Sequence, residues 1–315
     1  MALKTELCDL LEIEKPIIQG GMAWVATGEL AAAVSIAGGL GIIGAGNAPA
    51  DVIEKEIEKV KKLTDKPFGL NIMLLSPFAD DIIELAIEKK VPVITTGAGN
   101  PGKHVKRFQE VGSKVIPVVP SVALARRMER LDVDAVIVEG TEAGGHIGEL
   151  TTMALVPQVV DAVDIPVIAA GGVADGRGLA AVLALGAVGA QIGTRFVCSK
   201  ECKASMEFKE AIVGARDRDA VVTGRSTGHP VRNLKNKLTK ELDKLESQGV
   251  DPKKIEEIGS GKLRDAVIDG DVKEGSVMAG QISGMISEIK SVKEIIEEIL
   301  VHTENTIKSS YNLLD

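Results

Sequence analysis

A histidine flanked by glycines is the side chain of this sequence best suited to acid–base chemistry. His146 lies in EGTEAGGHIG, residues 139–148, directly after an apolar run. An imidazole exchanges protons near neutral pH, and the neighbouring glycines predict a flexible loop that can bring the ring to a substrate. Glu139 ends the apolar run, where a carboxylate is costly unless it contacts a polar group. A lone loop histidine is commonly a surface residue, but this position favours His146 as a catalytic residue.

Two glycine-containing segments have the composition of a phosphate-binding site. One includes Ala170, Gly171 and Gly172, and the other begins with Gly193 and Thr194. Each follows an apolar run and precedes a helix start, so their backbone N–H groups would favour an anion. These glycines could instead only form tight turns, but two such segments at the ends of successive strands favour a phosphate.

Two matches to G-x-G-x-x-G, at residues 39–44 and 97–102, do not indicate a Rossmann fold. The first lies inside an apolar run instead of at a strand-to-helix turn. The second lacks the acidic residue about 20 positions later that would bind a ribose. Both are interpreted as glycine-rich strand ends.

Other apolar runs end in side chains that could contact a heteroaromatic ring. Gln19, Gly20, Gly21 and Met22 end the first run, and Asn71 ends the third. Side-chain amides both donate and accept hydrogen bonds, which suits a ring edge. The Met22 thioether could pack on a ring face, although core packing is the alternative for this residue.

The elements that must position these residues repeat along the first two-thirds of the chain. Eight Val/Ile-rich runs start at residues 16, 40, 68, 91, 114, 135, 165 and 188, and helix-like stretches follow them. One strand, one helix and two loops fill such a period. The sequence therefore predicts an α/β fold, a (β/α)8 TIM barrel, whose active site lies at the carboxyl ends of the strands.

The pattern changes after about residue 199, where glycine becomes rarer and helix signals dominate. Helices are predicted at 231–247, 262–266 and 291–309. The expected organisation is a barrel over residues 1–215, a mainly helical lid over 216–272, and a segment over 273–315 that includes a closing helix. Within the last segment, GSVMAGQIS is small and apolar, which suggests a buried or ligand-lining stretch.

Composition excludes several classes of function. A net charge of −8 and 2% aromatic residues argue against nucleic acid as a partner. No apolar run reaches membrane-spanning length, and three cysteines give no disulfide framework, so a cytoplasmic protein is expected. Cys198 and Cys202 lack zinc-site spacing, and no metal is expected. One basic run, residues 223–240, contains five basic residues and no acid. It is either a solvated face or a docking patch for an acidic partner.

Taken together, the motifs resemble one known family. PIIQGGMAW, GGLGIIGAGNAP, KPFGLNIMLLSPF, TTGAGNP, VIPVVPSVALA, EGTEAGGHIG, IPVIAAGG, QIGTRF and SVMAGQ are similar to the flavin-dependent enoyl-(acyl-carrier-protein) reductases of bacterial fatty-acid synthesis. The wider family includes the nitronate monooxygenases. The resemblance extends over nearly the whole chain and is weakest at residues 200–275.

The resemblance implies an FMN-containing barrel, usually a homodimer, with NADH or NADPH as co-substrate. It implies that His146 is the active-site histidine and that Glu139 meets the ribityl chain. The remaining FMN-binding residues that it implies border the isoalloxazine (Gly20, Gly21, Met22, Asn71), hold the phosphate (Ala170, Gly171, Gly172, Gly193, Thr194) or close over the flavin (Met278, Ala279, Gly280, Gln281).

The implied reaction is reduction of a trans-2-enoyl thioester carried by an acidic acyl-carrier protein, which gives the basic run a candidate role. Nitronate monooxygenase activity, which uses oxygen and no nicotinamide, is the main alternative; GNAP, NIMLLSPF and SVMAGQ fit the reductase better. A non-catalytic flavin- or carrier-binding module would have little need of His146. A barrel dehydrogenase with Cys198 as nucleophile is disfavoured, because Cys198 lies beyond the predicted phosphate-binding segment that begins with Gly193 and Thr194.

Overall fold

A ring of eight parallel strands forms the centre of the molecule. The computed structural model describes residues 3–314, which form eleven strands: β1 (Ile17–Gln19), β2 (Gly41–Gly44), β3 (Phe68–Met73), β4 (Val93–Gly97), β5 (Lys114–Val119), β6 (Val136–Glu139), β7 (Gly145–His146), β8 (Val167–Ala170), β9 (Gly189–Ile192), β10 (Ala220–Thr223) and β11 (Val231–Leu234). The ring runs β1-β9-β8-β6-β5-β4-β3-β2. A bridge between Ile18 and Leu40 joins β1 to β2 and closes it. The predicted TIM barrel is confirmed.

Most helices pack around the ring and bury an apolar face against the strands. The helices are α1 (Glu6–Leu11), α2 (Gly28–Ile36), α3 (Ala50–Leu63), α4 (Ala79–Glu88), α5 (Val105–Glu110), α6 (Val122–Glu129), α7 (Thr152–Val160), α8 (Gly176–Ala184), α9 (Thr194–Val197), α10 (Met206–Val213), α11 (Lys237–Ser247), α12 (Pro252–Gly259), α13 (Lys262–Asp269) and α14 (Val292–Tyr311). Helices α11 and α12 instead bury their apolar faces in a separate small cluster. The Asp175 carboxylate caps α8 by accepting from the N–H groups of Arg177 and Gly178. No helix of residues 3–314 is both long and apolar enough to cross a membrane.

The barrel interior is mainly apolar and is closed at its amino-terminal end by α1. Leu7 and Leu11 of this helix join Ile18, Ile42 and Ile137 of the strands in one buried cluster. A second, larger cluster fills the layer between strands and outer helices. Since apolar side chains fill the interior, polar chemistry is confined to the opposite, carboxyl end of the strands.

A small antiparallel sheet, β10-β11-β7, lies outside the ring. The helix predicted at 231–247 is therefore wrong at its start, because Val231–Leu234 is strand β11, which pairs with both β10 and β7. Helix α11 begins only at Lys237, where Asn236 and Thr239 form a capping box. The cross-strand pairs involve residues distant in sequence, so tertiary pairing outweighs the local helix signal.

Candidate active site

The turn after β1 is held tightly against two neighbouring strand ends. A Cβ on Gly21 would lie 2.2 Å from Asn71 Cβ, and one on Gly193 would lie 3.3 Å from Met22 Sδ. Asn71 Oδ1 accepts a hydrogen bond of 2.9 Å from Thr95 Oγ1, which leaves the amide N–H groups of Asn71 to donate elsewhere. The structure thus brings the predicted residues of β1, β3 and β9 together at the carboxyl end of the barrel.

Gln19 does not belong to this group. Its amide is fully buried, donating to Ile42 O at 3.1 Å and accepting from Ile42 N at 3.2 Å. Through these two hydrogen bonds the Gln19 side chain links β1 to β2 inside the barrel. The suggestion that Gln19 contacts a ring edge is corrected by this geometry.

Three backbone N–H groups at the ends of β8 and β9 have no acceptor among residues 3–314. They belong to Gly171, Gly172 and Gly193. Gly171 and Gly172 have φ of +84° and +77°, and a Cβ on Gly171 would lie 2.9 Å from Gly140 O. Only glycine satisfies both the left-handed backbone and the close approach. Gly171 and Gly193 are half-buried and Gly172 is exposed, so these N–H groups without acceptors can form an anion-binding concavity that is open to a ligand.

Thr194 adds a hydroxyl to this cradle. Its Oγ1 accepts a hydrogen bond of 2.9 Å from the N–H of Gly280, so its own proton is available for an anion. Arg195 does not contribute in the same way. Its guanidinium is buried and donates to Glu288 O at 3.0 Å, and burial lowers its pKa.

The segment that contains Met278 and Gly280 packs against the loop after β6. Gln281 N donates to Glu142 O at 2.9 Å, and a Cβ on Gly144 would lie 2.7 Å from Gly280 N. Ala279 is fully buried, whereas the Gln281 side chain is exposed. A stretch distant from the barrel repeats in sequence therefore lies against the strand ends, as GSVMAGQIS suggested.

His146 lies on a short strand, so the expected flexible loop is wrong. Its strand, β7, pairs with β11, and His146 is opposite Val231. The ring edge is exposed, yet surrounding protein limits hydration and lowers the pKa of His146, and the charge of nearby His229 adds to this effect. The lowered pKa favours the neutral imidazole, which presents one N–H donor and one acceptor.

Glu139 occupies the end of β6, opposite Ala170 of β8. Burial raises the pKa of Glu139 to about 7, because protein surrounds the carboxyl and no cation within residues 3–314 offsets the lost hydration. A carboxyl in this state is protonated or ionised with similar ease near neutral pH. It can therefore either donate or accept a hydrogen bond at the barrel mouth.

Two groups that support the site were not identified as such from the sequence. The Thr152 N–H donates to both Glu142 carboxylate oxygens, at 3.0 and 2.9 Å, which fixes the loop between Glu139 and His146. Arg232 is buried and donates twice to Thr141 O, at 3.1 and 2.9 Å. Arg232 therefore holds the active-site loop, whereas its place in the basic run had suggested a docking surface. Nothing in the sequence around Arg232, whose neighbours are uncharged, indicated that its side chain is buried.

Cys198 cannot serve as a nucleophile at neutral pH. The side chain is fully buried, and burial raises the pKa of its thiol to about 12. The reactive species of cysteine is the thiolate, so a thiol in this environment is inert. The dehydrogenase alternative based on Cys198 finds no support in this geometry.

Comparison with known proteins gives consistent matches over the whole chain. Residues 4–302 match the sequence model described as nitronate monooxygenase. The structure of FabK from Thermotoga maritima is 53% identical, with a TM-score of 0.96 and 99% of each chain covered. A (3aS,4S,5R,7aS)-5-hydroxy-7a-methyl-1-oxo-octahydro-1H-indene-4-carboxyl-CoA dehydrogenase of Mycobacterium tuberculosis is 34% identical, covering 100% of each chain. A probable nitronate monooxygenase of Staphylococcus saprophyticus is 35% identical, covering 95% of this chain and 98% of its own.

Proposed function

Since the chain belongs to the nitronate monooxygenase family and is an oxidoreductase, we propose that it is an FMN-dependent enoyl-(acyl-carrier-protein) reductase. The reaction is reduction of a trans-2-enoyl thioester at the expense of NADH or NADPH. The observation that carries the assignment is the likeness to FabK, an enoyl-(acyl-carrier-protein) reductase, which includes the segment beyond the barrel. A relative whose name specifies a carboxyl-CoA substrate gives further support for a thioester.

The residues at the barrel mouth fit FMN. The unpaired N–H groups of Gly171, Gly172 and Gly193, with the Thr194 hydroxyl, suit its phosphate. Glu139 suits a ribityl hydroxyl, because its carboxyl has no hydrogen-bond partner among the described residues. Around the isoalloxazine we place Gly20, Gly21, Met22 and Asn71 below, and Met278, Ala279, Gly280 and Gln281 as the cover. Bound FMN would supply the hydride transfer from the nicotinamide to the β-carbon of the thioester.

We assign to His146 the role of contacting the carbonyl oxygen of the substrate thioester. A neutral imidazole donates an N–H hydrogen bond to the thioester oxygen, where negative charge develops during reduction. It can also deliver a proton to the resulting enolate. The pairing of β7 with β11 fixes the backbone of His146. It thereby limits the orientations that are available to the imidazole ring.

The remaining features of the proposal concern assembly and partner. We expect a cytoplasmic homodimer that receives its substrate from an acidic carrier protein. Lys235, Lys237 and Lys240 are exposed and suit such a partner, whereas buried Arg232 is removed from the docking patch. Charges at an interface rim mainly raise the association rate and set partner preference.

Nitronate monooxygenase activity is the second candidate, since both the family description and the staphylococcal relative name it. It would use the same FMN-binding residues with oxygen as oxidant. His146 would then donate its N–H to a nitronate oxygen instead of to a thioester carbonyl.

Anaerobic flavin spectroscopy distinguishes the two candidates. The purified protein is mixed with NADH or NADPH and then with crotonyl coenzyme A, while the visible flavin absorbance is recorded. The proposal expects bleaching by a nicotinamide and recovery on addition of the thioester. Bleaching by an alkyl nitronate, with none by either nicotinamide, would replace it with the monooxygenase assignment.

A further inference from the structure

Trp24 has a backbone conformation that is unusual for its position. Five non-glycine residues among 3–314 have positive φ, and three of them, Glu12, Lys90 and Asp132, lie just beyond the ends of helices α1, α4 and α6. Left-handed residues are common at helix ends. Trp24, at φ +65°, and Ala98 instead follow barrel strands at the catalytic face. A bulky side chain is strained in this region, and such strain concentrates at functional sites.

Close packing under the turn explains why the strain persists. A Cβ on Gly44 would lie 2.5 Å from Met22 O, and one on Gly46 would lie 2.7 Å from Ala23 Cβ. The turn is therefore pressed onto the end of β2, where glycines leave just enough space. The N–H of Ala26 closes it with a bond of 2.8 Å to Met22 O. Met22 and Trp24 therefore belong to one closely packed turn, in which the backbone of each limits the conformation of the other.

The indole of Trp24 lies beneath a cation from the segment beyond the barrel. Arg264 of α13 places its guanidinium carbon 5.8 Å from the ring centroid, within the range of a cation–π contact. Its helix is anchored by Ser205 Oγ, which donates to Ala266 O at 3.2 Å, and by Ser276 N, which donates to Lys262 O at 2.8 Å. Arg264 Nη1 also lies 3.3 Å from Asp269 Oδ2, and this ion pair on the same helix helps to orient the exposed guanidinium over the indole.

We propose that Arg264 and Trp24 are a positioning pair that holds the Gly20–Gly21–Met22 turn in its FMN-binding conformation. The inference rests on the proposed function in that it requires FMN as the ligand. The path is short: Arg264 holds the indole, the strained Trp24 backbone fixes Met22, and Met22 contacts the loop of Gly193. Neither residue of the pair was identified as functional from the sequence.

The test compares Arg264→Gln with Arg218→Gln, a matched control that removes an exposed arginine from the same segment. FMN is titrated into each apoprotein, and emission from Trp24, the only tryptophan, is recorded. We expect Arg264→Gln to weaken FMN binding about two- to fivefold and to shift the emission to longer wavelength. Arg264→Lys, which keeps a cation over the ring, should restore most of the affinity, and Arg218→Gln should resemble the native protein.

Trp24→Phe provides the second arm, since it keeps a smaller aromatic face and removes the emission. We expect its FMN affinity to lie between those of the native protein and Arg264→Gln. A purely structural role would lower the melting temperature of Arg264→Gln while leaving the FMN affinity of the folded protein unchanged, and that result would overturn the inference. Native protein that binds FMN but does not reduce enoyl thioesters would refute the proposed function alone. Native protein that binds no FMN would refute both.

Discussion

His146 is the residue whose side chain most directly tests the proposed chemistry. Replacing it with alanine should leave FMN bound, because the phosphate cradle lies on β8 and β9. Enoyl reduction should slow by a factor of about 10² to 10⁴, the usual contribution of a positioned acid or base. Stopped-flow reoxidation of the reduced flavin by crotonyl coenzyme A measures this step. His302→Ala, an exposed histidine of α14, is the control, and equal rates in all three proteins would remove His146 from the mechanism.

Glu139 gives a prediction on stability that does not involve turnover. Its pKa is raised in the folded protein to about 7 from an ordinary value of 4.5, so the folded state holds its proton more tightly than the unfolded state. The stability of the apoprotein should therefore fall as pH rises from about 4.5 to about 7, and remain lowered above that. Glu139→Gln removes this dependence, and it should stabilise the apoprotein by at most about 3 kcal/mol at pH 8. Urea unfolding of the native protein and of Glu139→Gln at pH 5 and pH 8 measures the difference. If the free energies of unfolding of the two proteins differ by the same amount at both pH values, the prediction is contradicted.

At the scale of elements, the loop after β8 makes a prediction with a well-matched control. Gly171 and Gly112 both have left-handed φ, at +84° and +90°, but a Cβ would clash with Gly140 O only at Gly171, since nothing lies within 4 Å at Gly112. Both alanine variants should lose about 1–2 kcal/mol of stability from backbone strain. FMN affinity should fall about tenfold or more in Gly171→Ala alone, because the cradle must shift. Isothermal titration of the two apoproteins decides whether the cradle binds the phosphate.

The barrel strands and most helices were predictable because their signals are local. Most barrel strands are Val/Ile-rich runs that end in or are followed by a glycine, and Asp175 is a favourable N-cap residue at the start of α8. The small sheet was not predictable in this way. Strand β11 contains Arg232 and Asn233 and pairs with residues about 10 and about 85 positions away, so its stability depends on partners that no short window contains.

The meeting of the candidate site residues at one end of the barrel was predictable, because it also follows from local signals. Residues at strand ends, such as Gly171 and Asn71, are brought together by the barrel itself. Arg232 and Arg264 act from outside the repeats, and their burial or stacking depends on the folded chain. Arg232 looks exposed from its place in a basic run, and its burial becomes evident only from the Thr141 carbonyl that it contacts in the folded chain.

At the scale of the whole molecule, the corrected basic patch predicts how a carrier protein would dock. Removing the exposed charges Lys235, Lys237 and Lys240 should lower kcat/KM for acyl-carrier-protein substrates by up to about fivefold per lysine, since exposed ion pairs are individually weak. Coenzyme A substrates should be affected less. The control is Lys253→Gln with Lys254→Gln, which removes two exposed charges from α12. Equal losses with both classes of substrate would argue against docking at this patch.

The pairing of β7 with β11 also bears on how such proteins diverge. The cofactor cradle belongs to the barrel, but the backbone of His146 is held by a strand from beyond it. Mutations in that outer segment could therefore reorient His146 while the glycine cradle at the ends of β8 and β9 stays unchanged. A lineage built in this way can change its reaction without first losing its cofactor. Two relatives that are 34% and 35% identical to this chain are named for different reactions, which is the result that such a separation predicts.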